Sequence, residues 1–303
     1  MTPGAAAKLA LASSRPGPLA YLPCIRYRDV LLLQGSPLLG ATFAIEHLTV
    51  WVIAKLLMLS LGSFLLVAHI FSFNDWAGIA ADSNDPNKSA LVFSTKGVSQ
   101  RGVLCLSAML LAGALAIFAL LPTRVLLIAL AIAALGIFYS HPATDAKGTP
   151  VLSSCPHLVG GLLHFLLGYS VFQPVDQRGA LIGMFFALTF TAGHLNQEVR
   201  DYDGDRLNHL RTNAVAFGPK RVFLAGLAMF TLAYADLAIL AGAGLVSRAL
   251  GALALVLYPI HVILTARALR GGLTFDGVSR FQRQYRLLYV LIGLLLLATQ
   301  LWR

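Results

Sequence analysis

Two acid-bearing runs stand at the ends of long apolar stretches: Asn74-Asp75-Trp76-Ala77-Gly78-Ile79-Ala80-Ala81-Asp82 and Glu198-Val199-Arg200-Asp201-Tyr202-Asp203-Gly204-Asp205. They are conspicuous because the whole chain of 303 residues has only 13 Asp and Glu. An ionisable group near membrane depth is costly unless it is paired or holds an ion. Residues three, four or seven apart share a helical face, so Asp75 aligns with Asp82, and Glu198 with Asp201 and Asp205. Each run can therefore aim carboxylates at one point. Hard divalent cations take oxygen ligands, and magnesium characteristically joins one or two carboxylates to the phosphates of a substrate. Two such clusters facing each other point to a metal-bound diphosphate between them. The competing reading is that the acids cap helices or pair with neighbouring Arg and Lys at a membrane surface.

The elements that must position them follow from composition. The chain is 57% hydrophobic and 12% charged, with a mean hydropathy of +0.75, whereas about a quarter of a soluble domain is charged. This is an all-α, polytopic membrane protein. At about 20 apolar residues per span, the sequence predicts nine transmembrane helices around a central cavity, near 30–51, 52–73, 102–121, 123–140, 155–173, 179–197, 219–243, 245–267 and 284–302. Residues 1–25 read as a flexible or interfacial tail and 26–303 as a single domain, with no room for a soluble one. Of 23 Lys and Arg, 18 fall in the N-terminal segment and the connections after even-numbered spans. The positive-inside rule then puts the N-terminus and both acidic runs on the cytoplasmic side of a cell (inner) membrane. The net charge of +10 is accounted for by this topology, and no nucleic-acid partner is expected. Cys24, Cys105 and Cys155 are odd in number and lack metal-ligand spacing, so redox and zinc chemistry are not indicated.

The two runs resemble the paired motifs of the UbiA superfamily of intramembrane prenyltransferases. That family's Asn-Asp-x-x-Asp-x-x-x-Asp motif is similar to residues 74–82. Its second motif, followed by a basic stretch and a Thr-Leu-Ala-Val-x-x-Gly-like run, is similar to Asp201 through Asp205-Arg206 and then Arg211-Thr212-Asn213-Ala214-Val215-Ala216-Phe217-Gly218. Between them the family has a Tyr-Ser-x-Pro element leading to a Lys, matched here by Tyr139-Ser140-His141-Pro142 and Lys147. The resemblance implies a prenyltransferase, two Mg2+ ions, a prenyl diphosphate whose tail lies between helices, and a hydrophobic or aromatic acceptor. It implies Asn74, Asp75, Asp82, Asp201 and Asp205 as metal positions and Lys147 as the diphosphate contact, with Tyr139 and Ser140 lining the pocket. Glu198 and Asp203 are not fixed by it. Glu198 adds a metal or water contact, or bridges to Arg200 or Arg206. Lys88, Lys96, Arg206 and Arg211 are within reach of phosphate, or are solvated loop charges. Arg26 and Arg28 stand where relatives place a basic residue near the acceptor.

Three departures qualify the match. Gly78 replaces the middle Asp of the first motif, with Asp85 a candidate to compensate. The loop after that motif reads Lys88-Ser-Ala-Leu-Val-Phe-Ser-Thr-Lys96-Gly97 instead of an Arg-Pro-Leu-containing segment. The Tyr139 to Lys147 segment carries an additional acid, Asp145. Transfer of a prenyl group to an aromatic or lipid-like acceptor is the leading expectation. The alternatives are a UbiA-type terpene cyclase that closes rings without an acceptor, and a cation-coupled transporter. His164 and His194 read as hydrogen-bonded core histidines, and His141 and His157 as better candidates for the pocket.

Overall fold

The computed structural model describes residues 18–301. Among these residues the regular secondary structure is all helical. The first 17 residues of the expected tail lie outside the described part. Its last eight, Pro18–Ile25, are not loose but form a 3-10 helix. Cys24 is buried there beside Phe93, Val98 and Val103, and Ser72 Oγ donates to the Cys24 carbonyl at 3.2 Å.

The expected first span is broken. Helix α1 (Tyr27–Leu33) stops and α2 (Gly35–Ala44) starts one residue later. Pro37 explains the interruption, since it has no N–H for the Leu33 carbonyl and its ring crowds that oxygen. Helix α3 runs from Val50 to Asn84, 35 residues, well past the predicted end near 73. It starts under a cap from the Thr49 side chain, which accepts from Val52 N at 3.2 Å. It stops only at Asp85, which is extended because the following Pro86 disfavours helical backbone in the residue before it. The first acidic run is thus the last three turns of a helix, not a connection.

The remaining helices are α4 (Gln100–Phe118), α5 (Thr123–Ser140), α6 (Cys155–Phe172), α7 (Gln177–Arg200), α8 (Tyr202–Leu207), α9 (Asn213–Phe217), α10 (Pro219–Gly242), α11 (Arg248–Arg270) and α12 (Phe275–Leu301). Seven helices among the described residues are long and apolar enough to cross a membrane: α3 to α7, α10 and α11. The count of nine is therefore not reached on length and composition alone. The α1–α2 break divides one expected span. Helix α12 carries Asp276, Arg280, Arg283 and Arg286 in its first half.

Successive long helices pack side by side, and α12 packs back on α2 and α7 to close the ring. Helices α2 and α6 meet at backbone contact. A Cβ at Gly40 would collide with the Phe165 carbonyl, and one at Gly168 with the Pro37 carbonyl. Small residues at such a crossing replace the missing hydrophobic drive with close van der Waals packing. Outward faces are apolar, with Trp51, Leu120 and Leu255 largely exposed, as a lipid-facing surface requires.

Candidate active site

The two acidic runs meet at one end of the ring. Helix α3 contacts the short helix α8, and the tightness of that contact depends on Gly204, where a Cβ would run into the Asp85 carboxylate. Lys88, just beyond α3, reaches into the junction. Its Nζ lies 2.9 Å from Asp201 Oδ2, 3.6 Å from Asp82 Oδ1 and 3.8 Å from Asp85 Oδ2. Carboxylates of both runs thus share one cation. Burial of Lys88 works against its charge, but Asp201, Asp82 and Asp205 outweigh it and hold the ammonium above its ordinary pKa.

Each run is also clamped by an arginine. Arg26 pairs with Asp75 at 2.6 Å, and Arg200 grips Asp201 through two hydrogen bonds of 2.7 and 2.9 Å. Arg26 is a non-glycine residue in left-handed backbone, at φ 51°, a conformation that costs energy. Burial would raise the Asp201 pKa, yet hydrogen bonds and charge from Arg200 and Lys88 bring it below the usual carboxylate value. Asp205 has no such clamp, and its pKa rises to about 6. Burial is the main cause; Lys147 and Lys88 oppose the rise, and Asp201 adds to it.

The Tyr139 to Lys147 segment faces the first run. Asn74 Nδ2 donates to Ser140 Oγ at 3.1 Å. A cavity of about 230 Å³ is lined by Asn74, Gly78, Tyr139, Ser140 and Lys147. Lys147 lies within Coulombic reach of Asp75 and Asp205. A side chain at Gly78 would sit in van der Waals contact with Asp82 Oδ2, at 3.5 Å, so this position faces the same space as the acids around it.

Glu198 does not form the expected bridge to an arginine. It is buried (5% exposed) and bridges to neither Arg200 nor Arg206. Its Oε1 accepts from Ser153 Oγ at 2.9 Å and Asn213 Nδ2 at 3.2 Å and lies 3.1 Å from His194 Nε2. His157 stacks on His194, with ring centroids 3.8 Å apart, and Tyr139 packs edge-on to His157. His164 is hydrogen-bonded to Ser63 at 3.1 Å. The network ties α7 to α9 and to the loop before α6. Asp203, Arg206 and Arg211 are exposed, and none of the three enters an ion pair among the described residues.

A second, larger space of about 780 Å³ adjoins the acids; a cavity between the helices was expected, but its polar lining from the last helix was not. Its walls include Arg26 and Arg200, the two clamps, together with Gln282, Arg283 and Arg286 of α12. The available signal was the polar stripe on an otherwise apolar last span.

The donor set suits a hard divalent cation. Every acid in the junction offers oxygen, and acids from both runs already converge on the Lys88 ammonium. Among the described residues, no three His, Cys, Asp or Glu are grouped closely enough to hold a metal by themselves.

Fold and site together define a helical membrane protein with two acid motifs at one mouth. The chain belongs to the UbiA prenyltransferase family, whose model matches residues 35–275. No curated protein matches it. Among solved structures, a UbiA homolog from Archaeoglobus fulgidus bound to GPP and Mg2+ is similar at a TM-score of 0.71 and 18% identity, over 92% of this chain and 99% of that one. A UbiA homolog from Aeropyrum pernix K1 gives 0.67 and 20% identity, over 88% of this chain and 96% of that one. A digeranylgeranylglyceryl phosphate synthase gives 0.67 and 17%, over 93% and 97%.

Proposed function

We propose that this chain transfers a prenyl group from a prenyl diphosphate to an aromatic or lipid-like acceptor within the membrane. One observation carries the reading: Asp201 of the second motif and Asp82 of the first hold the same ammonium, with Asp85 beside them. A place where both motifs share a cation is what a metal-clad diphosphate needs. Family membership and the homologs bound to GPP or DMAPP with Mg2+ support the same ligand class. The proposal includes two magnesium ions and nine crossings, the α1–α2 pair and α12 joining the seven apolar helices. It also places the N-terminus and active site on the cytoplasmic face.

In this reading Asn74, Asp75, Asp82, Asp201 and Asp205 hold the metal. When bound, magnesium stabilises the negative charge that builds on the departing diphosphate. Lys147 and Lys88 add positive charge at the same place, which favours cleavage of the allylic C–O bond. Tyr139 and Ser140 shape the pocket wall. Apolar helices on all sides keep water from the allylic cation. The acceptor attacks that carbon and gives up a proton.

The test is release of diphosphate from geranyl diphosphate by the purified protein with magnesium. Asp82→Ala and Asp201→Ala are each expected to abolish it, and full retention in either overturns the assignment. A cyclic hydrocarbon formed without acceptor would favour the cyclase.

A further inference from the structure

We infer that Asp145, on the loop between α5 and α6, stands in for the carboxylate that Gly78 withdraws from the first acidic run, and gives the metal an oxygen contact from the facing wall of the pocket. The inference rests on the function proposed above and names a residue outside both motifs. Gly78 leaves open space. A Cβ there would meet only the Asp82 carboxylate, at 3.5 Å, and the residue lines the 230 Å³ cavity together with Asn74, Tyr139, Ser140 and Lys147. Asp145 lines the same cavity and is the one acid among the described residues that do. As a sphere, that volume is about 8 Å across. An ion within it is in reach of a carboxylate from either wall, directly or through one of the waters that magnesium keeps.

The other acids near Gly78 are committed. Asp75 pairs with Arg26 at 2.6 Å, and Asp82 lies 3.6 Å from the Lys88 ammonium. Asp85, the compensating acid suggested by the sequence, is seven residues and about 10 Å further along the α3 axis. It is 3% exposed, accepts from Asn87 N at 2.9 Å and is wedged against Gly204. It therefore ends the helix and does not line the cavity. Asp145 differs from all three. Among the described residues its carboxylate enters no ion pair and no side-chain hydrogen bond, not even with Lys147 two positions on.

The loop holds this free carboxylate in place. Thr144 Oγ1 donates to the Phe138 carbonyl at 2.6 Å, and Thr149 Oγ1 donates to the Asp145 carbonyl at 2.8 Å. Asp145 itself has left-handed backbone, at φ 48°, which Asp and Asn adopt more readily than other non-glycine residues. Gly148 lies against its side chain, where a Cβ would collide with the carboxylate. A bare carboxylate on the wall of a diphosphate pocket would repel the ligand. A divalent cation between the two reverses that sign, because the ion is then the largest charge in the site.

The experiment is a calorimetric titration of magnesium into full-length protein in phosphatidylcholine nanodiscs, with geranyl thiolodiphosphate present. It compares the unaltered chain with Asp145→Asn and the double variant G78D/D145N. Asn keeps the left-handed backbone and removes only the charge, so D145N is expected to unfold in EDTA at the same temperature as the unaltered chain. Its magnesium affinity is expected to fall about tenfold or more. G78D in the same chain is expected to restore that affinity, because the α3 position and the loop position serve one ion. A bystander acid predicts the opposite sign: with its charge gone, magnesium and thiolodiphosphate together would bind as tightly as before or more tightly, and that result would overturn the inference. A loss that G78D leaves unrepaired, in a chain whose unfolding in EDTA is unaltered, would overturn it as well. Absence of thiolodiphosphate-dependent magnesium binding in the unaltered chain would sink the transferase reading and this assignment with it, whereas binding that D145N leaves intact sinks the assignment alone.

Discussion

Replacing Lys88 with Met removes the cation that, among the described residues, forms ion pairs with carboxylates of both motifs. At 2.9 Å from Asp201 and an effective dielectric of about 20, the gross attraction is about 6 kcal/mol. Desolvation of the ammonium offsets much of that. The site is half-buried, with Lys88 24% and Asp201 15% exposed, so the net loss lies between the values for surface and buried pairs, about 2 kcal/mol. The variant should therefore unfold at lower temperature in EDTA. Magnesium should restore it, because a divalent cation relieves the same repulsion among Asp82, Asp85 and Asp201. At a concentration of 100 Kd, magnesium contributes about 2.7 kcal/mol, enough to return the variant to the stability of the wild type in EDTA, and the deficit between the two proteins should narrow because the metal takes over the role of the ammonium. The assay is thermal unfolding of detergent-solubilised wild type and Lys88→Met, each with EDTA and with magnesium. An equal deficit in both conditions would refute the reasoning, since Lys88 would then be an ordinary structural ion pair.

On the proposed assignment Asp205 must lose a proton to bind metal, and its raised pKa of about 6 means that magnesium affinity should be full near pH 7.5 and fall as pH drops through 6. Asp201, held below the usual carboxylate value, stays charged over that range, so Asp205→Asn should flatten the profile in a magnesium titration. Glu198→Ala takes the acceptor from the Ser153 hydroxyl and the carboxylate from beside His194, and chemical unfolding should show a loss of about 2–3 kcal/mol, whereas Arg211→Ala, on an exposed residue, should stay within about 0.5 kcal/mol. Gly204→Ala drives a methyl group into the Asp85 carboxylate, so it should cost about 1–3 kcal/mol and weaken magnesium binding as α8 is displaced from α3.

Much of this was legible before any coordinates. Composition established a helical membrane protein, and helical periodicity aligned Asp75 with Asp82 and Asp201 with Asp205. The family motifs led to Tyr139, Ser140 and Lys147, which line the cavity beside Asn74. Boundaries were harder. Hydropathy falls at Asn74, but a helix needs only tolerable residues to continue, so α3 runs on to Asn84, where the approach of Pro86 ends it. Pro37 is a strong local signal that apolar counting overlooks. Partners of long side chains were the least legible, because Lys88, Arg26 and Arg200 can each reach many places. Only the fold shows that they converge on the acids. Glu198 illustrates the same difficulty: its neighbours along α7 suggested Arg200, but its hydroxyl and amide partners lie 45 and 15 residues away in sequence.

The most direct test of the paired motifs is equilibrium binding of geranyl thiolodiphosphate, which cannot turn over readily, to the full chain with and without magnesium. Binding should require the metal and should fall more than about a hundredfold in both Asp75→Asn and Asp201→Asn, one variant from each motif. Metal-independent binding, or loss in only one of the two variants, would contradict a site built from both.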